Sequence, residues 1–224
     1  MVVHLPPPQR PLAGGLWWRW DGKRAWIRIY HAGAGRTATG PRRFGPIARF
    51  DPHTPPHTDP AECPDGRSVI YLGDSLRTAA AELFGAHRVA LVCPRYRVAA
   101  LRPRHALIVQ NLRGVGAMMI GGLPAMNVAD IPRHETQAWA RALYEDRPAH
   151  PTVCGVRYTS AYAGGVSLAL WNTSPALDVA EWNGRSQDFA LASPDIYPRL
   201  LTAMGRMRFE VRVIGPADCR RCTR

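Results

Sequence analysis

Glycine and proline interrupt this chain so often that we expect turns and loops, rather than long helices, to make most of its connections. The 224 residues include 20 glycines and 21 prolines. The hydrophobic content of 46% and the charged content of 21% are ordinary for a folded globular protein and argue against disorder. The length corresponds to one domain, which is large enough to bury a core without disulfide bonds.

Short strands and three helices account for the patterned segments between these breaks. Strand patterns occur at residues 25–30, 68–72, 88–92, 106–110, 155–160, 166–171 and 208–214. Apolar periodicity predicts helices over 76–84, after a cap at Asp74 or Ser75, and over 132–144 and 194–207. Because strands and helices do not alternate strictly, we predict an α+β fold: a single domain with a mixed β-sheet core and flanking helices.

Polar and proline-rich segments mark the expected limits of this domain. We predict a flexible, proline-rich lead over residues 1–15, the domain over 16–215 and a basic tail over 216–224. Segment 51–67 is polar and contains several prolines, so we expect a long surface loop there.

The charge of the chain raises one functional hypothesis. The 29 basic and 17 acidic residues give a formal charge of +12, and because Lys23 is the only lysine, 28 of the basic residues are arginines. This charge is compatible with a nucleic-acid-binding module. The arginines are dispersed, however, and no basic stripe alternates with aromatic residues as in an RNA-binding platform. Direct nucleic-acid binding is therefore the weakest of our hypotheses.

The cysteines and the N-terminal residues bear on the cellular compartment. Five cysteines at scattered spacings do not form the framework of a disulfide-rich secreted domain. The first residues, MVVHLPPPQR, lack the apolar run of a secretory signal. The longest uncharged stretch, residues 114–129, is too short and too rich in glycine and proline to span a bilayer. We expect a cytoplasmic protein with reduced thiols and no membrane contact.

Two groups of residues resemble metal ligands, but neither reaches a recognisable spacing. Cys219 and Cys222 form a CxxC motif in the basic tail, without a second CxxC or a histidine pair to complete four ligands. His53, His57 and Asp59 lie close together in segment 51–67, again without a defined third or fourth partner. We therefore expect a solvated tail, an ordinary polar loop and no metal.

A glycine-rich segment after residues 106–110 is a loose match to a dinucleotide-binding loop. Gly114 and Gly116 are followed by Gly121 and Gly122, so the third glycine is displaced from the GxGxxG pattern, and Pro124 interrupts the helix that should follow. Tight packing of a short helix is the plainer interpretation.

Glu82 and Arg28 stand out because each is a charged residue within an apolar pattern. Glu82 lies beside Ala79 and Leu83 on the predicted helix, and Arg28 lies between Ile27 and Ile29 in a predicted strand. Each side chain is either exposed at the surface or buried next to an oppositely charged partner or a ligand, since buried charges need one.

The order of segments resembles the RES-domain family, the toxin components of RES–Xre toxin–antitoxin pairs. The resemblance rests on RIY, FGPIARFDP, IYLGDSLRTAAAELFG and GVRYTSAYAGGVSLALW, at residues 28–30, 44–52, 70–85 and 155–171. The arginine, glutamate and serine that give the family its name match Arg28, Glu82 and Ser160. Arg49 matches the second motif arginine, and Tyr71 matches the tyrosine before the glutamate helix. The resemblance covers roughly residues 25–214, nearly the whole chain.

The resemblance implies an ADP-ribosyltransferase-like fold that acts on NAD as substrate, together with a cognate Xre-like antitoxin as partner. It implies a toxin that cleaves the nicotinamide–ribose bond, by hydrolysis or phosphorolysis, or one that transfers ADP-ribose to a host protein. Arginine forks match phosphate oxygens, which makes Arg28 and Arg49 candidates for holding the diphosphate and the adjoining ribose.

The remaining candidate residues receive roles around the bond to be cleaved. Glu82 is the candidate that stabilises the oxocarbenium-like state and orients the nucleophile. Ser160 is expected to position the ribose or the amide, Tyr71 to stack on the nicotinamide, and Tyr158 to contribute to the pocket from the same strand face as Ser160. Three alternatives stay open: Arg28 and Glu82 form a structural ion pair, Ser160 is a hairpin residue bonded to backbone, or Tyr71 belongs to the core.

Overall fold

The structure is a computed structural model that describes residues 3–127 and 130–223. Residues 1 and 2 of the predicted lead, 128 and 129 of the uncharged stretch and 224 of the predicted tail lie outside the described residues. The strands are β1 (Leu16–Trp20), β2 (Trp26–His31), β3 (Phe44–Gly45), β4 (Ala61–Glu62), β5 (Val69–Gly73), β6 (Val89–Val92), β7 (Tyr96–Pro103), β8 (Leu107–Asn111), β9 (Val153–Thr159), β10 (Val166–Trp171), β11 (Leu177–Val179), β12 (Glu181–Trp182), β13 (Arg185–Ser186), β14 (Asp188–Ala190) and β15 (Glu210–Val213). The helices are α1 (Leu76–Phe84), α2 (Arg133–Asp146) and α3 (Tyr197–Gly205).

A nine-stranded sheet organises the domain. Its order is β1-β8-β9-β10-β5-β2-β7-β11, and β14 also pairs with β7. Within this sheet β8 and β9 pair in parallel, whereas the other described pairs are antiparallel. The predicted α+β class with a mixed sheet is therefore confirmed. The alternative of a dinucleotide-binding Rossmann fold is wrong, because that fold requires a mainly parallel sheet.

The sheet separates hydrophobic clusters on its two faces. Strand residues alternate between the faces, so Trp26 and Tyr30 of β2 pack in one cluster while Ile27 and Ile29 pack with α1 in another. The helix α2 covers a third cluster, where Trp139 is buried, as its predicted inward position requires.

The predicted flexible lead is instead packed along α2. Leu5 and Leu12 are buried, with 7% of each residue exposed. The Leu5 amide donates to the Glu135 carboxylate at 2.5 Å, and the Leu12 amide donates to Asp146 at 2.8 Å. Two apolar anchors and their backbone hydrogen bonds therefore offset the entropy lost on ordering this segment.

The predicted surface loop over 51–67 is also only partly exposed. Asp51, Pro52 and His53 at its start are buried, and so is Cys63. The rest of the segment contributes β4, which pairs with β3. Its early residues are thus part of the core rather than of the surface.

None of the three helices in the described part of the chain has the length and apolar character needed to cross a lipid bilayer.

Candidate active site

Helix α1 carries Glu82 directly onto the sheet. Ser75 caps the helix, as predicted, by accepting a hydrogen bond from the Thr78 amide at 3.2 Å. Gly73 makes the close approach possible, because a Cβ atom there would lie 2.5 Å from the Ala79 nitrogen. The helix therefore sits directly on the end of β5.

Glu82, Arg49 and Tyr158 meet on this face of the sheet. Arg49 Nη2 lies 3.5 Å from Glu82 Oε1, and the Tyr158 hydroxyl donates to Glu82 Oε2 at 3.2 Å. The Arg49 guanidinium also lies over the rings of Phe50 and Tyr158, at 5.8 and 5.5 Å from their centres. Only 18% of the Glu82 side chain and 10% of the Arg49 side chain are exposed. The result is a largely buried ion pair whose guanidinium packs against two aromatic rings.

Tyr158 is held as a proton donor in this cluster. Burial is the main cause that raises its pKa well above the ordinary value of 10, and the nearby negative charge of Glu82 raises it further. The hydroxyl is therefore protonated at neutral pH and keeps one Glu82 oxygen fixed by a hydrogen bond.

Asp51 shapes the loop that presents Arg49. Its carboxylate is fully buried and accepts hydrogen bonds from the amides of Ile47 and Ala48 at 2.6 and 2.9 Å. Arg42 Nη2 donates to the same carboxylate at 2.5 Å. The loop from Arg42 to Asp51 is thus folded around the buried Asp51 carboxylate. Asp51 follows Arg49 by two residues, so it helps to fix the position of that arginine.

Tyr71 belongs to the same hydrogen-bonded unit. Its hydroxyl donates to Asp51 at 2.7 Å and accepts from the Phe50 amide at 3.1 Å. Burial first, and the charge of Asp51 second, raise the pKa of Tyr71 well above 10. Tyr71 connects β5 to the Arg49 loop, and its stacking on a nicotinamide ring stays a prediction.

Asp51 has no role predicted from the sequence. Its position in ARFDP, directly before a proline, placed it at the start of the expected surface loop. A carboxylate within a matched motif was the available signal, but the four donors that surround it come from three parts of the chain.

Arg28 lies on the opposite face of β2 from α1. Its guanidinium donates to the carbonyls of Ala38 and Gly40 at 2.5 and 2.7 Å, so it fixes the glycine-rich loop after β2. Burial lowers the pKa of Arg28 to about 10. The alternative of a structural ion pair between Arg28 and Glu82 is wrong. Alternation along β2 places the Arg28 side chain on the face of the sheet away from α1, and Glu82 pairs with Arg49 instead.

Ser160 directly follows β9 and closes the hairpin to β10. Its amide donates to the Gly165 carbonyl at 2.8 Å, and its hydroxyl accepts from the Ala163 amide at 3.4 Å. The hairpin also packs on α1, since the Tyr162 ring occupies the space where a Cβ atom of Gly85 would lie. Ser160 is therefore placed beside the Glu82 helix, in the backbone-bonded position that the sequence left open.

His53, His57 and Asp59 do not form a ligand group. His53 is fully buried next to Gly45, whereas the exposed His57 stacks on His134 with 4.9 Å between ring centres. Burial is the main cause that lowers the pKa of His53.

The buried His53 predicts an acid-sensitive fold. Because its pKa is lower in the folded than in the unfolded protein, the unfolded state gains protons first as the pH falls below about 6.5. The expected loss of unfolding free energy from this residue is up to about 1 kcal/mol between pH 7 and pH 5.5. Urea unfolding at both pH values should show this loss in the wild type and a smaller one in His53→Gln. His57→Gln, at an exposed position, should behave as the wild type, and an equal pH dependence in all three proteins would contradict the prediction.

A groove of about 650 Å³ lies elsewhere on the molecule. Its lining residues include Ile27, Val98, Trp182 and Arg199. It shares none of its lining residues with the Glu82 cluster. The cluster is the better candidate site because it combines a carboxylate, a guanidinium and a buried hydroxyl.

Comparison with known proteins identifies the family. No curated protein and no solved structure is detectably similar to the chain. The family model described as RES domain matches residues 16–192 of the 224, which include the entire Arg49–Glu82–Tyr158 cluster. This chain therefore belongs to the RES-domain family.

Proposed function

We propose that this protein is the toxin of a bacterial toxin–antitoxin pair and cleaves the nicotinamide–ribose bond of NAD. The observation that carries the proposal is the half-buried Glu82 carboxylate. Its Oε2 atom is held by Tyr158, while its buried Oε1 atom lies 3.5 Å from Arg49 Nη2 and accepts no hydrogen bond from the described residues. One oxygen is thus positioned, and the other has bonding capacity for a substrate or a nucleophile.

The chemistry of the bond matches such a carboxylate. As neutral nicotinamide leaves with the electron pair of the C–N bond, positive charge develops on the ribose. The Glu82 carboxylate stabilises this charge, and it takes a proton from the water or phosphate whose oxygen forms the new bond to the anomeric carbon. The proton then passes to solvent.

Arg49 supplies the positive charge of the site. Its guanidinium lies 3.5 Å from Glu82, which is a looser contact than a bidentate pair. We propose that Arg49 binds a phosphate oxygen or ribose hydroxyl of NAD next to the Glu82 carboxylate. Arg28 contributes by holding the glycine-rich loop through Ala38 and Gly40.

Transfer of ADP-ribose to a protein is the alternative outcome of the same site, since a side-chain nucleophile approaches the same carbon as water. An Xre-like antitoxin that blocks this site is the proposed partner, as the family resemblance implies.

Nicotinamide release from NAD tests the proposal. The purified full chain is incubated with NAD, with and without phosphate, and the products are separated by chromatography. We expect free nicotinamide from the wild type and from Glu62→Gln, an exposed control position, but almost none from Glu82→Gln. A second incubation supplies cell lysate with labelled NAD. Label on a lysate protein, in place of free ADP-ribose products, would indicate the transferase. No nicotinamide release by the wild type, or equal release by Glu82→Gln, would contradict the proposed site.

A further inference from the structure

Four metal-binding side chains that are not part of the Glu82 cluster converge at one place in the structure. His31 ends β2, Cys93 follows β6, and Cys219 and Cys222 come from the C-terminal tail. Their donor atoms all lie within 4.8 Å of one another. The convergence is long-range, since His31 and Cys222 are 191 positions apart in the chain.

The distances in this group are those between the ligands of a tetrahedral ion. His31 Nε2 lies 3.2, 3.4 and 3.8 Å from the sulfurs of Cys222, Cys93 and Cys219, and the Cys93 and Cys222 sulfurs are 3.6 Å apart. Zinc bonds of about 2.3 Å to sulfur and about 2.0–2.1 Å to nitrogen put tetrahedral ligand atoms about 3.5–3.8 Å apart. A disulfide is a poorer match, because it requires about 2.05 Å between sulfurs.

We propose that His31, Cys93, Cys219 and Cys222 form a structural Zn²⁺ site. One imidazole and three thiolates are a ligand set that selects zinc among the common divalent ions. His31, Cys93 and Cys219 are buried, with 1%, 0% and 4% of each residue exposed. Four protein ligands leave no open coordination position, so the role is structural rather than catalytic. On binding, the three thiols release their protons to solvent.

The surroundings favour the charge of such a site. Three thiolates and one Zn²⁺ ion carry a net charge of −1. The two residues between the tail ligands are Arg220 and Arg221. The Arg221 guanidinium lies over the Tyr96 ring, 5.8 Å from its centre. Tyr96 itself contacts the edge of the His31 imidazole. Positive charge is therefore available next to the ligands.

The proposed ion ties the tail to the middle of the domain. Strand β15 pairs in parallel with β6, which brings the chain end towards Cys93. The two tail ligands lie beyond residue 192, where the family match ends, whereas His31 and Cys93 lie within the matched region. His31 is three residues beyond Arg28 in β2, and the ion would fix the strand end from which the glycine-rich loop departs.

This arrangement contradicts the expectation of a solvated tail, and the proposed zinc site departs from our expectation of no metal. The solvated tail is wrong for Cys219, which is buried. In the proposed site, His31 and Cys93 supply the two ligands that the CxxC motif lacks. They are 62 positions apart in the chain, so no sequence spacing indicated them.

One contact defines the competing interpretation. The Gly33 amide lies 3.2 Å from His31 Nδ1, an arrangement that suits an imidazole whose Nε2–H group donates to a cysteine sulfur without any metal. In a zinc site Nδ1 carries the proton and turns towards an acceptor instead. Metal content and spectroscopy separate the two arrangements.

The test is the metal content of the full chain, purified without an affinity tag, chelator or oxidant. Elemental analysis should find about one zinc ion per chain in the wild type and at least about tenfold less in Cys222→Ser. Cys63→Ser, which alters a buried thiol outside the group, should keep the wild-type content. Chelator should lower the melting temperature of the wild type and of Cys63→Ser, but not that of Cys222→Ser.

Cobalt gives a second measurement that does not depend on the folding of a variant. The chelated, reduced wild type titrated with Co²⁺ should develop thiolate-to-cobalt charge-transfer bands and the intense visible bands of a tetrahedral site. Zinc should then abolish both. A reduced wild type that holds less than about 0.1 zinc ion per chain and gives no cobalt spectrum would overturn the proposal, as would equal zinc in Cys222→Ser. A disulfide among these cysteines that persists in the purified protein and leaves no zinc bound would also overturn it.

Discussion

Replacement of Asp51 by alanine should lower the free energy of unfolding by about 3–4 kcal/mol, the largest effect on stability that we expect from a single site. The fully buried carboxylate accepts from two backbone amides, the Arg42 guanidinium and the Tyr71 hydroxyl. Alanine leaves these donors without the acceptor that the fully buried carboxylate provides. For a chain of this length the loss corresponds to a fall in melting temperature of roughly 7–14 °C.

Calorimetry or urea unfolding measures this effect, and two further variants identify its cause. Asp51→Asn keeps the shape and one acceptor oxygen, so its loss should be about half that of alanine. Asp59→Ala removes an exposed carboxylate from the neighbouring segment and should change stability by less than about 0.5 kcal/mol. Equal stability of the wild type and Asp51→Ala would show that the loop does not depend on this charge.

Asp51 also predicts a functional consequence. The loop that it organises carries Arg49, so a loosened loop should place the guanidinium less accurately against Glu82. Under the proposed function, Asp51→Asn should reduce nicotinamide release at a temperature where the variant is still folded. Unchanged release in this variant would show that Arg49 is positioned by other contacts.

Glu82→Gln should have the largest effect on activity, with kcat for nicotinamide release lowered by about a thousandfold. The amide has the size of the carboxylate and its oxygen still accepts from Tyr158, so the fold and the position of the side chain should be kept. What is lost is the negative charge that stabilises the oxocarbenium-like state and the group that takes the proton of the nucleophile. A thousandfold loss corresponds to about 4 kcal/mol of transition-state stabilisation.

Companion variants separate charge from position. Tyr158→Phe removes the donor to Oε2 but leaves the charge, so we expect a loss of only about tenfold, mainly in kcat. Wild-type activity in Glu62→Gln would show that the loss is specific to Glu82 rather than to glutamate replacement. If Glu82→Gln retained more than about a tenth of wild-type kcat, Glu82 would not be the charge that stabilises the reaction.

Local patterns in the sequence determined most of the secondary structure. Apolar periodicity and the Ser75 cap were sufficient to predict α1, because a helix start depends on hydrogen bonds among residues three positions apart. Strand β10 was predicted at its observed limits, Val166–Trp171. The strand β7, by contrast, was missed, although it pairs with β2, β11 and β14. Its sequence, YRVAALRP, has no clear alternation of apolar and polar residues.

The sequence by itself also determined the family and the residue types of the candidate site, because motif order is a property of the chain alone. Only the tertiary structure decided which residues meet. Alternation along β2 put Arg28 on the face of the sheet away from α1, and tertiary packing made Arg49 the partner of Glu82. The pairing of β15 with β6, in a separate two-stranded sheet, brought the tail cysteines to Cys93 and His31. The physical reason is that a side chain's face follows from local alternation, whereas its partner depends on sheet order, which packing across distant segments selects.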